Sequence, residues 1–172
     1  MLNSITNLWW GGDPDLPDHV SDMTLRDINN VQRTWAPVYA QCGTYGLQMF
    51  LRLFRKDPIT KTFFKTIRTL DEDQISNSYQ FKAHVKTLMA SINTCVDNLK
   101  EPRVVVALMT KLGESHNGRH IQILHFEVFT LEFKEIWVDV FENELQLNEQ
   151  EMASWIKFIS FIYKHIFERL NG

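Results

Sequence analysis

From residue 24 almost to the end of the chain, apolar residues recur at steps of three and four, the period of an α-helix. Nothing alternates with period two over the length of a strand. The pattern predicts a first helix from about Thr24 to Ala40, with Leu25, Ile28, Val31 and Trp35 inward and Pro37 kinking or ending it. A second helix follows Gly43 on a stripe of Leu47, Phe50, Leu51 and Phe54, and Asp57-Pro58 stops it, because the residue before a proline is pushed out of the helical region. A short turn at Ile59–Phe64 and a charged loop, Asp71-Glu72-Asp73, come next. Phe81, Val85, Leu88, Ile92, Val96 and Leu99 line a helix from about Ser78 to Leu99. Pro102 suits the first helical position of the next, whose stripe is Val105, Leu108, Met109 and Leu112 and whose end falls near Gly118. Phe126, Phe129, Phe133, Ile136, Trp137 and Val140 mark a further long helix. The last begins with Asn148 as N-cap and Glu151 three residues on, with Leu147 and Met152 spaced for a hydrophobic staple. The fold class is all-α, with six to seven helices.

Residues 1–23 break this pattern. Gly11-Gly12-Asp13-Pro14-Asp15-Leu16-Pro17-Asp18 cannot sustain a helix, so the segment reads as a flexible acidic N-terminal extension ahead of a helical domain over residues 24–172. Trp9 and Trp10 could dock on the domain or on a partner. Composition adds that the core is bulky, since 12 Phe stand against only 7 Gly and 5 Pro. The terminal helix is richest, with Trp155, Ile156, Phe158, Ile159, Phe161, Ile162, Ile166 and Phe167, more than one buried stripe needs. Either a homodimer interface or a helix sandwiched in the core would account for it.

A net charge of -3 gives no bulk attraction to nucleic acid or to an anionic membrane. The apolar run Trp155–Phe167 is interrupted by Lys157, Lys164 and His165 and is shorter than the ~20 residues of a membrane span. Met1–Trp10 lacks the basic start and long apolar stretch of a signal peptide. Cys42 and Cys95 have neither CxxC nor zinc spacing and are expected to be free thiols in a reducing compartment, so a cytoplasmic protein is expected.

Two histidines sit oddly. His84, three residues after Phe81 and four before Leu88, shares the apolar stripe of its helix, and His116, four after Leu112, continues the stripe of the Pro102 helix. Each alone reads most simply as a hydrogen-bonded core histidine. Two on separate stripes suit a metal bound in a flat apolar cofactor, which partners the imidazoles while side chains pack its faces. The i,i+4 pair His116 and His120 could bind zinc, but Gly118 lies between, HExxH is absent and no third ligand is evident. GxGxxG, GxxxxGK[ST] and GxSxG are all absent, leaving nucleotide and serine-hydrolase chemistry without a foothold, and no set of catalytic residues points to an enzyme.

Phe54-Arg55-Lys56-Asp57-Pro58 with Phe63-Phe64, then Phe81-Lys82-Ala83-His84, then Leu112-Gly113-Glu114-Ser115-His116, resembles the globins from about Val31 to Leu170. Trp35, fifteen residues before Phe50, is similar in spacing to the family's first-helix tryptophan and second-helix distal position. The resemblance implies a haem b cofactor, with His116 as the proximal iron ligand and His84 as the distal histidine. It implies that Phe64 stacks on the haem, that Leu88 and Phe50 lie on the distal side, and that Leu112, Ile121 and Phe126 wall the proximal side. Lys65, Arg68, Arg119 and His120 become candidates for the propionates. The chain departs from typical globins in its N-terminal arm, in Pro37, and in a stretch between His116 and Ile121 about one residue short, which shifts the registers of His120 and Ile121 by up to one. A distal His with Leu88 and Phe50 is similar to neuroglobin-type globins, where the distal histidine can occupy the sixth iron position. The expected function is therefore a six-coordinate haem protein for electron transfer or for redox or gas sensing, with a redox partner protein and with O2, CO or NO binding when His84 dissociates. The alternatives are a five-coordinate O2-storage or transport globin and, more remotely, a haem-free interaction module.

Overall fold

The computed structural model describes residues 16–117 and 145–170. Those residues form six α-helices and one 3-10 helix with no strand: α1 (Leu25–Ala40), α2 (Cys42–Lys56), the 3-10 helix Pro58–Phe63, α3 (Glu72–Asn77), α4 (Tyr79–Asp97), α5 (Pro102–Asn117) and α6 (Glu149–Leu170). The helix expected on Phe126–Val140 lies outside the described residues, as do Arg119, His120 and Ile121.

Helix starts follow their caps. At α1 the Thr24 hydroxyl accepts from the Asp27 backbone N–H at 3.0 Å, and the Asp27 carboxylate accepts from the Thr24 N–H at 2.9 Å. At α6 the expected pair is in place: Asn148 Oδ1 accepts from the Glu151 N–H at 3.0 Å and Glu151 Oε2 from the Asn148 N–H at 2.9 Å. Asp71-Glu72-Asp73 is not a charged loop. Asp71 caps α3, accepting from the Gln74 N–H at 2.8 Å while Gln74 returns a bond to the Asp71 N–H, so the acidic run is a helix start. The turn expected at Ile59–Phe64 is the 3-10 helix, begun by Asp57 accepting from the Ile59 N–H at 3.1 Å. Pro37 does not end α1, which runs on to Ala40; the proline removes only the N–H that the Arg33 carbonyl would have met.

The stretch before α1 is ordered where it is described. Asp18 accepts from the Val20 and Ser21 N–H groups at 2.8 and 3.0 Å, Asp22 takes a φ of 57°, and Met23 enters the core at 1% exposure.

The core is organised by α6, which packs on both α1 and α5, and by α4, which packs on α1 and α2. Trp35 and Trp155 meet at its centre with ring centroids 5.9 Å apart. Each indole N–H is satisfied, Trp35 by Asn93 Oδ1 at 2.9 Å and Trp155 by Thr34 Oγ1 at 2.8 Å. Beside them Asp27 is buried, and accepts from Lys157 Nζ at 2.7 Å and from Ser154 Oγ at 2.9 Å. The apolar surplus of α6 is mostly core: of the eight residues, Trp155, Phe158, Ile159, Phe161 and Ile166 are buried, Ile162 and Phe167 half-buried, and Ile156 exposed. Two partner helices, rather than one, account for the doubled stripe.

Candidate functional site

The two histidines stand on helices whose positions are set by glycine contacts. A β-carbon on Gly113 would meet the Ile166 carbonyl oxygen, so α5 lies directly on the backbone of α6 three residues before His116. One residue after it, the Asn117 amide donates to the Arg169 carbonyl at 3.2 Å. On the other side, a β-carbon on Gly46 would lie 2.6 Å from Val85 Cγ1 and 2.9 Å from Met89 Cγ. That contact joins α2, which carries Phe50, to α4, which carries His84.

His116 is half-buried in the last turn of α5, with Nδ1 2.8 Å from the carbonyl oxygen of Leu112. A carbonyl only accepts, so Nδ1 carries the proton in the neutral ring and the lone pair lies on Nε2, the nitrogen that could ligate a metal. The backbone of the same helix thus sets the tautomer and the ring direction.

His84 lies at the edge of an aromatic cluster. Phe50, Phe54, Phe64 and Phe81 pack with every pair of ring centroids between 5.2 and 5.8 Å. The His84 ring is 5.2 Å from Phe64, 5.8 Å from Phe50 and 6.2 Å, stacked, from Phe81. His84 itself is exposed, not buried in the stripe as its spacing suggested. Position 84 is about 60° round the helix from Phe81, while the buried Val85 and Met89 lie on the other side of Phe81, so the imidazole occupies the margin of the stripe.

Of the other expected site residues, Phe64, Leu88 and Leu112 are half-buried, Phe50 is buried, and Lys65 and Arg68 are exposed. Ile121, Phe126, His120 and Arg119 lie outside the described residues. Phe54 and Phe81 were not among the expected site residues, although both open stretches that carry the family resemblance and stand four after Phe50 and three before His84.

The donor set fits haem. Among the described residues no group of three or more His, Cys, Asp or Glu could hold a metal by itself. A flat macrocycle that brings its own equatorial nitrogens asks the protein only for axial imidazole and apolar walls, and His116 and the phenylalanine cluster are of that kind.

The globin family model matches residues 47–166. The chain is similar to cytoglobin-2 of Oryzias latipes, at 25% identity over 88% of this chain and 85% of that one, and to cytoglobin-2 of Danio rerio, at 28% over 83% and 80%. Its fold is similar to a hexacoordinated heme protein of an anhydrobiotic tardigrade, with a TM-score of 0.77 and 18% identity over 90% of this chain and 99% of that chain. It is likewise similar to the hexa-coordinate hemoglobin of Drosophila melanogaster, with a TM-score of 0.75 and 20% identity over 84% and 94%. With the family model covering most of its length and the sequence carrying the family's pattern, the chain belongs to the globins, a family of haem-binding proteins.

Proposed function

We propose that this globin holds haem b with both His116 and His84 as iron ligands, and that it serves electron transfer or redox or gas sensing rather than bulk oxygen transport. The observation that carries the reading is the His84 ring resting on Phe50, Phe64 and Phe81. Three phenylalanine rings contact it, so the imidazole is a polar group set in an aromatic wall where it can meet an iron centre. The hexa-coordinate hemoglobin of Drosophila melanogaster and the hexacoordinated tardigrade protein, both similar in fold, support the same reading.

Bound there, haem supplies a one-electron iron couple and a site for O2, CO or NO. The chain's own residues do the rest. Leu112 fixes the tautomer of His116 through its carbonyl. Phe50 and Phe64 exclude water, and His84 must swing off the cluster before an external ligand can enter. The apparent ligand affinity then falls by the fraction of chains with His84 displaced. In this reading the protein is a carrier or sensor, not an enzyme. It works in the cytoplasm with a protein redox partner, in keeping with its two free cysteines.

A second reading rests on the exposure of His84. An imidazole already facing solvent can act as gate and hydrogen-bond donor to O2 while leaving the iron five-coordinate. The absorption spectrum of the ferrous protein without added ligand separates the two. Bis-histidine ligation gives a low-spin spectrum that a His84→Leu variant loses. A five-coordinate spectrum in the unsubstituted protein overturns it.

A further inference from the structure

An open groove of about 740 Å³ lies between α2 and α4, on a side to which His84 contributes nothing. Its floor is apolar, made by Leu47 and Leu51 of α2 and Val85 of α4. Its α4 side carries Lys82 and Lys86, both exposed and one helical turn apart. Among the described residues no Asp or Glu lines it. Among the described residues neither lysine has a carboxylate partner: the Lys82 ammonium stands 5.7 Å over the Tyr79 ring, and Lys86 makes no ion pair.

Two cations without counter-charges beside an apolar floor are complementary to one kind of occupant, a molecule with a single anionic head and an aliphatic body. The volume is within the roughly 300–1,000 Å³ of small-molecule sites. The length of α2 along the groove, from Thr44 to Leu51, is roughly 10 Å at the helical rise, which suits a chain of medium length. We propose that this groove binds a medium-chain fatty carboxylate, the head between Lys82 and Lys86 and the chain on Leu47, Leu51 and Val85. The site is separate from the haem pocket and stands whether His84 ligates iron or gates it.

The test uses the haem-loaded full chain with methyl-labelled Leu and Val, titrated with decanoate below its micelle-forming concentration. Decanoate is expected to shift the methyl resonances of Leu47, Leu51 and Val85 and to leave the haem absorption unchanged. Affinity should climb from hexanoate through octanoate to decanoate by up to about fourfold per methylene buried. Acetate and decylammonium should not bind. Lys82→Glu with Lys86→Glu should weaken decanoate at least about tenfold, the equivalent of one charge-assisted contact. Both lysines are exposed, so the pair of substitutions keeps the fold, and circular dichroism checks it. Absent methyl shifts, equal binding of decylammonium, or undiminished binding to the doubly substituted chain would each overturn the proposal. So would shifts that follow protein concentration rather than decanoate, since they would make the groove a contact between copies of the chain.

Discussion

A β-carbon on Gly113 would lie 2.7 Å from the carbonyl oxygen of Ile166, closer than van der Waals contact allows. The close approach of α5 and α6 therefore depends on the missing side chain. Gly113→Ala must push the helices apart against backbone, and a loss of about 1–3 kcal/mol is expected from such overpacking. Urea unfolding measures it. Because His116 sits in the same turn, the variant should also release haem faster than the unsubstituted protein. Unchanged unfolding and haem release would show that the contact bears no load.

Replacing the two histidines should have unequal effects. His116→Leu removes the imidazole whose tautomer Leu112 sets, whereas His84→Leu removes one that stands exposed at the margin of its cluster. Transfer of haem to an acceptor apoprotein should be faster from the His116 variant. The reverse order would mean that the proximal role belongs to His84.

The indole of Trp155 donates to Thr34 Oγ1 at 2.8 Å in the buried contact between α1 and α6. Thr34→Val keeps the shape and removes the acceptor, at an expected cost of about 1–3 kcal/mol. Thr34→Ser should retain most of the stability. Thermal melts of the two variants side by side separate the hydrogen bond from the packing.

Asp27 links stability to pH. Burial pushes its carboxyl up, but bonds from Lys157, Thr24 and Ser154 outweigh that and hold it below the ordinary carboxylate range. A group depressed in the folded state contributes fully above its unfolded value, about 3.9, and the contribution is lost as pH falls through the lower folded value. Glu151 acts in the same direction, held down by Arg33 and by the Asn148 N–H. The unsubstituted protein should therefore lose stability over Asp27→Asn as pH is lowered from 5 toward 3, the two urea midpoints converging. Parallel midpoints across that interval would exclude the coupling.

The two thiols should differ in reactivity. Cys95 is buried and its thiol is pushed up to about 12, so it stays protonated at neutral pH. Cys42 is half-buried and lines the groove beside α4. A disulfide reagent should modify Cys42 alone in the native protein and both thiols in denaturant.

Much of this architecture is legible in the sequence because local rules and the fold agree. Asn148 and Glu151 satisfy each other's backbone donors within one turn, so their spacing alone marks the start of α6. Trp35, Phe81, Val85 and Val105 are buried on the helical period. Met49, Leu53, Met89 and Cys95 are buried too, although the expected stripes omit them, because α2 and α4 each touch more than one neighbour and bury a wider arc. His84 shows the opposite limit. Periodicity gives an angle about the axis but not the width of the covering partner, so a residue at the margin can face either way. The capping role of Asp71 was hidden in a run of acids whose charge suggested a loop. The register of His116 on Leu112 was readable from four-residue spacing, whereas the Gly113 and Gly46 contacts join segments far apart in the chain, and no local pattern records them.

The Gly46 contact bears on how readily α4, which carries His84, can move. With Val85 and Met89 seated against the bare backbone of α2, sliding or tilting α4 would require two helices to unpack together, a process of microseconds or longer. The exposed His84 ring can leave its aromatic contacts by rotation about its own two side-chain bonds, with α4 in place. In the proposed reading, displacement of His84 is thus a torsional change on a stationary helix that follows the breaking of its bond to iron.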